Sequence, residues 1–154
     1  MISQRARYAL KALLFLARAE PGRTYRASEI AAAEGIPEAF LEAILVDLRR
    51  SGLLASRRGR AGGHMLAHAH EKISLAAVLR ATEGPVAPVS CLSRTAYRRC
   101  ADCADEETCD LRHLFLETHA AMLGVLERRS LADVVKRSHV IDEFAPGFFE
   151  GAHI

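Results

Sequence analysis

The sequence predicts a mainly α fold with a small β-hairpin wing: a winged helix-turn-helix followed by a long C-terminal dimerisation helix. Three observations carry this reading. Two short helical patterns joined by a glycine turn are followed at once by a glycine-framed basic hairpin. One amphipathic helical pattern of about five turns occupies the second half. Between the two lies a loop that holds every cysteine of the chain: Cys91, Cys100, Cys103 and Cys109.

The first helix runs from about Gln4 to Ala19, where Ala6, Leu10, Leu13 and Ala17 recur at helical spacing and Pro21-Gly22 ends the run. A second fits Ala27 to Glu34, with Ile30 and the alanines inward and Gly35 placed to close it in a left-handed conformation. Pro37 opens the third, as proline does best at the first helical position. Phe40, Leu41, Ile44, Leu45 and Leu48 form its apolar face, and Gly52 follows its end. With that face inside, Ala39 and Glu42 are left for a major groove, where a carboxylate can accept from cytosine N4.

Leu53 to Arg58 reads as a strand, Gly59 to Gly63 as a turn and His64 to Ala67 as the returning strand. The wing bears Arg57, Arg58 and Arg60, and Arg49 and Arg50 precede it. Arginine on a projecting turn can enter a groove and pair with phosphates, so these five residues point to double-stranded DNA. Charge distribution agrees. Residues 1–70 carry eleven Lys/Arg against six Asp/Glu, whereas residues 71–154 carry ten against thirteen. A basic half joined to an acidic half places the polyanion partner on the first. His64, His68 and His70 lie far along the chain from the cysteines; His64 reads as a packing or phosphate contact, the other two as solvated.

Ser74 caps a short helix carrying Leu75, Val78 and Leu79. Gly84, Pro85 and Pro88 then mark Glu83 to Ser90 as a linker into the cysteine loop, spaced C-x8-C-x2-C-x5-C. Three chemistries fit four clustered thiols: paired disulfides, a metal or iron–sulfur site, or unligated cysteines. No secretory leader is visible in MISQRARYAL, which disfavours disulfides and predicts a cytoplasmic protein. No apolar run approaches a membrane span, so no membrane partner is expected. Asp102, Asp105, Glu106 and Glu107 of the loop read as solvated charges.

From Asp110 to Arg129 the stripe Leu111, Leu114, Phe115, Thr118, Met122, Val125, Leu126 is wide enough to pack on its own domain and meet a second helix. A homodimer is the natural partner, since one wing reads a short site. Ser130 and Asp133 fit a capping box for a last helix from Leu131 to about Ser138. The organisation is then 1–82, winged helix-turn-helix; 83–109, linker and cysteine loop; 110–138, dimerisation and final helices; 139–154, a tail without periodicity. No phosphate loop, acid–base pair or nucleophile constellation suggests an enzyme or a cluster-bearing electron carrier.

The pieces RYALKALLFLA, EIAAAEGIP followed by FLE, LRRSGLLASRRGRAGGH, the cysteine loop and SLADVV together resemble the winged-helix iron–sulfur regulators typified by the bacterial repressors IscR, NsrR and RirA. The resemblance covers about residues 1–137. It implies a dimeric regulator whose operator affinity is modulated by an iron–sulfur cluster, [2Fe–2S] or [4Fe–4S]; read from the cysteines alone, the loop could instead hold zinc. By position, Cys91, Cys103 and Cys109 match the family's three cysteine ligands, and Cys100 is additional. The histidine that the family often places three residues after the last cysteine is Arg112 here. His113 is one position on, about 100° round the helix, which makes Cys100 the first candidate for the fourth ligand.

Overall fold

The computed structural model describes residues 2–136. Six helices and one hairpin follow in order: α1 (Gln4–Arg18), α2 (Ala27–Glu34), α3 (Glu38–Arg50), β1 (Leu54–Arg57), β2 (Gly63–Leu66), α4 (Leu75–Glu83), α5 (Asp110–Arg128) and α6 (Leu131–Lys136). The tail and the end of the last expected helix lie outside the described residues.

Local chemistry sets most boundaries. Ser3 accepts from the Ala6 amide and starts α1. Gly35 stops α2 at φ +65°, a left-handed value that β-carbon-bearing residues avoid. Pro37 stands just ahead of α3 rather than inside it, and its carbonyl accepts from the Phe40 and Leu41 amides. Ser74 caps α4 through the Ala77 amide at 3.2 Å. Ser130 and Asp133 cap α6 reciprocally: the Ser130 amide donates to Asp133 Oδ2 at 2.8 Å, and the Asp133 amide to Ser130 Oγ at 3.3 Å.

One core joins the helices. Leu13 of α1, Ile30 of α2, Leu41, Ile44, Leu45 and Leu48 of α3, Val78 of α4 and Leu131 of α6 are all buried in a single cluster. The alanines Ala9 and Ala12 let the other helices approach α1 closely. Helix α6 belongs to this core although it follows α5. Its start is tied by the Leu131 amide to the Ile73 carbonyl at 2.9 Å, and the Leu75 amide donates to Arg129 at 2.8 Å.

One expected core residue is elsewhere. Phe40 is 43% exposed. The buried row of α3 centres on Leu41, Ile44, Leu45 and Leu48, and Phe40 sits about a quarter-turn from that centre. It packs edge-on against Tyr8 of α1, with ring centroids 5.7 Å apart. The wide apolar stripe of the long helix divides between two sides. Phe115 and Leu126 are half-buried with His119 and Leu123 fully covered, whereas Leu111, Leu114, Met122 and Val125 remain exposed. No described helix is long and apolar enough to cross a membrane.

Candidate nucleic-acid interface and cysteine cavity

The hairpin pairs Leu54 with Leu66, Ala55 with Met65, Ser56 with His64 and Arg57 with Gly63 in antiparallel register. Leu54 anchors its base in the core, and the chain leaves that base with Ser56, Arg57, Arg58 and Arg60 all exposed. Tyr25, just before α2, adds a third edge: its amide donates to the His64 carbonyl at 2.9 Å, and the His64 amide returns a bond of 2.7 Å. A β-carbon on Gly63 would meet the Tyr25 carbonyl oxygen at 2.5 Å, so only glycine allows this approach. The turn is pinned from the same side. Arg26 donates to the Arg60 carbonyl at 3.0 Å, and Thr24 to the Ala61 carbonyl at 2.9 Å. These ties engage the backbone of the turn and leave the Arg60 side chain exposed.

The wing stands beside α3. Burial, then the positive charge of Arg49, lower the pKa of His64 below 6.5, with Glu42 opposing them. Glu42 and Arg49 therefore lie on the wing side of α3, and His64 contacts Ser56 Oγ at 3.2 Å, a packing role. On the other flank, Arg5 of α1 pairs with Asp47, which Arg50 also approaches at 3.7 Å. Between these flanks Ala39, Ala43, Val46 and Arg50 point away from the core, all exposed.

The four cysteines line one open cavity of about 290 Å³ at the N-terminal end of α5. Cys91 is in a single helical turn, Ser90–Leu92, and is 7% exposed. Cys109 directly precedes α5, so its sulfur stands at the positive end of the helix dipole. Cys100 and Cys103 come from the irregular segment between, joined by a bond from the Cys103 amide to the Cys100 carbonyl at 3.3 Å. All four are free thiols. Among the described residues no three His, Cys, Asp or Glu side chains already stand as a closed metal-ligand set. The donor set nonetheless suits a thiolate-bound iron or zinc centre. Such a centre would require the sulfurs to draw inward across the cavity.

Of the acidic loop residues, Asp102, Asp105 and Glu107 are exposed, as read from the sequence, and Glu106 is half-buried. Asp105 accepts from the Glu107 amide at 3.3 Å and the Thr108 hydroxyl at 2.9 Å. These bonds lower the Asp105 pKa, the Thr108 bond most. Glu106 accepts from Tyr97 and pairs with Arg112 at 3.2 Å. Arg112 in turn donates to the Cys91 carbonyl at 2.8 Å and forms part of the cavity wall. His113 faces a neighbouring depression with Tyr97 and Leu116 instead. Sequence periodicity carries no signal for this Tyr97–Glu106–Arg112 network, which depends on contacts across the loop. His119 leaves no such signal either; it is 5% exposed, and neither ring nitrogen has a hydrogen-bond partner among the described residues.

Comparison with known proteins agrees with the architecture. The family model Rrf2, described as an iron-dependent transcriptional regulator, matches residues 2–137. An rrf2-like HTH-type transcriptional regulator of Rhodobacter capsulatus is 44% identical over 138 residues, covering 88% of this chain and 92% of that protein. The HTH-type transcriptional regulator NsrR of Bacillus subtilis is 31% identical over 134 residues, 87% of this chain and 89% of that protein. The solved structure of CymR, the global cysteine regulator of B. subtilis, superposes with TM-score 0.72 at 27% identity, over 90% of this chain and 98% of that one. IscR of T. potens shares the fold, with TM-score 0.70 at 22% identity over 90% and 88% of the two chains. On these matches, and on the winged helix described above, the chain belongs to the Rrf2 family of DNA-binding transcriptional regulators.

Proposed function

We propose that this regulator acts as a homodimer whose operator affinity is modulated by an iron–sulfur cluster held by the Cys91–Cys109 loop. The observation that carries the reading is the convergence of all four cysteines on one cavity at the start of α5. The iron-dependent description of the family and the likeness to NsrR support it. Cys91, Cys100, Cys103 and Cys109 would supply the thiolates. Arg112 fills the wall where a histidine ligand could stand, and His113 faces away, which favours Cys100 as the fourth ligand.

On DNA, α3 would enter the major groove while Arg57, Arg58 and Arg60 of the wing pair with phosphates or reach the minor groove, with Arg49 and Arg50 beside them. Exposed Leu111, Leu114, Met122 and Val125 recur at steps of three, eight and three residues, one face of α5 that a second copy would cover. A bound cluster supplies metal–thiolate bonds that chemical attack or oxidation can break, and those bonds hold only an ordered loop. The chain's own part is to couple that order to the reader: the Glu83–Ser90 linker ties one end of the loop to the winged unit, and Cys109 ties the other to α5.

Anaerobic purification with iron and sulfide analysis tests the proposal, followed by operator binding before and after cluster removal. Brown protein carrying iron and sulfide, whose operator affinity changes on removal, is the expected result. Colourless protein carrying zinc would assign the cavity a structural metal instead. Equal operator binding with and without the cluster would refute the modulation.

A further inference from the structure

We propose that Ala39, Ala43 and Val46 of α3 form a reading surface for thymine methyl groups in the major groove, with Val46 the principal specificity determinant. This rests on the reading that α3 enters the groove, and it deepens that reading by naming what is recognised. The buried row of α3 is Leu41, Ile44, Leu45 and Leu48. Its two flanks are fixed independently, by the influence of Arg49 and Glu42 on the wing residue His64 and by the Arg5–Asp47 pair with α1. What remains, opposite the core, is the row Ala39, Ala43, Val46, Arg50, at steps of four, three and four residues.

Three of those four side chains can neither donate nor accept a hydrogen bond. The outward face of a groove-reading helix would then be nearly mute toward base edges, were hydrogen bonding its only means. Two alanines let the helix backbone come close to the floor of the groove. Val46, 36% exposed, presents two methyl groups there. The one major-groove feature that such a surface recognises is the thymine C5-methyl. Charge favours DNA over a protein ridge as the occupant: exposed Arg49 and Arg50 stand on the same helix, and exposed Arg57, Arg58 and Arg60 on the hairpin that packs beside it. Glu42, leaning toward the wing, is left for a base at the edge of the site.

The test uses the full chain and a duplex site selected by it from a random library. Each thymine of that site is replaced in turn by deoxyuridine, which removes the methyl and leaves base pairing unchanged. A loss of about fourfold per contacted methyl is expected at one or two positions in each half-site. At the position facing Val46, Val46→Ala should abolish that sensitivity. Val46→Asn should redirect selection toward adenine, since asparagine pairs bidentately with adenine N6 and N7. Val46 lies outside the core, so circular dichroism should show both variants folded. If a defined site is selected but no thymine methyl matters, or sensitivity persists unchanged in Val46→Ala, the inference is overturned while the groove reading survives. If no sequence is selected and no duplex is bound, both fall.

Discussion

Replacing the wing arginines one at a time gives a quantitative test of how the hairpin meets DNA. Arg57, Arg58 and Arg60 are exposed, and their side chains enter none of the bonds that fold the turn; the tie from Arg26 goes to the Arg60 backbone carbonyl. Alanine at each should therefore leave the hairpin intact. A residue that neutralises one phosphate contributes about 0.9 to the slope of log K against log salt. In a dimer each substitution acts twice, so the slope should flatten by roughly 1.8 for every arginine that makes such a contact. Across a fourfold rise in salt, the variant would then lose about tenfold less affinity than the parent. Fluorescence anisotropy on one operator at four or five salt concentrations reads this directly. Arginine-to-lysine variants are the control, because a point charge preserves the slope even where bidentate geometry is lost. Slopes unchanged in all three alanine variants would remove the wing from the interface.

Four further outcomes are expected. Leu131→Ala empties a fully buried site in the shared core and should destabilise the fold by about 2–5 kcal/mol in a denaturant titration, whereas exposed Leu114→Ala should not approach that. Gly63→Ala should weaken operator binding by displacing the wing from Tyr25, detected as lost protection of the His64 amide in hydrogen exchange; normal protection would refute the steric argument. Cys100→Ala should abolish iron uptake while His113→Ala retains it, measured as bound iron per chain after anaerobic reconstitution. Acidification should loosen the wing. His64 has a lowered folded pKa, so below about 6.5 the unfolded state takes up a proton that the fold resists, and stability present above that pH is lost as it falls. His64→Gln should remove that pH dependence from the exchange rates of wing amides.

The features legible in the sequence were those set by neighbours along the chain. Gly35 at φ +65°, Ser74 on the Ala77 amide and the Ser130–Asp133 box are each local transactions between residues a few positions apart. The hairpin was legible for the same reason, although the sequence could not reveal that Tyr25 would pair with His64 and make Gly63 indispensable. Phe40 was misplaced because it borders the apolar face of α3, and only the arrival of Tyr8 from α1 gives it a seat outside the core. In the cysteine loop, composition announced the thiols but not their supports. Arg112 reaches back 21 positions to the Cys91 carbonyl, a contact that no periodic pattern encodes. His119 escaped notice for the opposite reason: it interrupts the row Phe115, Leu123, Leu126, and a polar residue on an inner face leaves no apolar mark.

Helix α5 is held at both ends by different chemistry, and that asymmetry gives the proposed switch a physical route. Its far end is fixed within the winged unit, because the Arg129 carbonyl accepts from the Leu75 amide and Leu131, on the helix that packs against α1, sits fully buried in the common core. At the same end, Arg80 of α4 pairs with Glu127 at 2.6 Å, adding an exposed tie that salt can weaken. The near end has no comparable apolar anchor: Leu111 and Leu114 are exposed, and order there depends on Arg112, Glu106 and the geometry of four cysteines. Disorder in the loop would therefore release the first turns of α5 while leaving α6 and the core in place. Those first turns carry half of the exposed row offered to a second copy. In the proposed dimer, the spacing of the two wings would respond to the loop without any unfolding of the DNA-reading unit. A coupling of about 1–3 kcal/mol suffices to change operator affinity several-fold to a hundredfold, within reach of a change confined to one end of one helix.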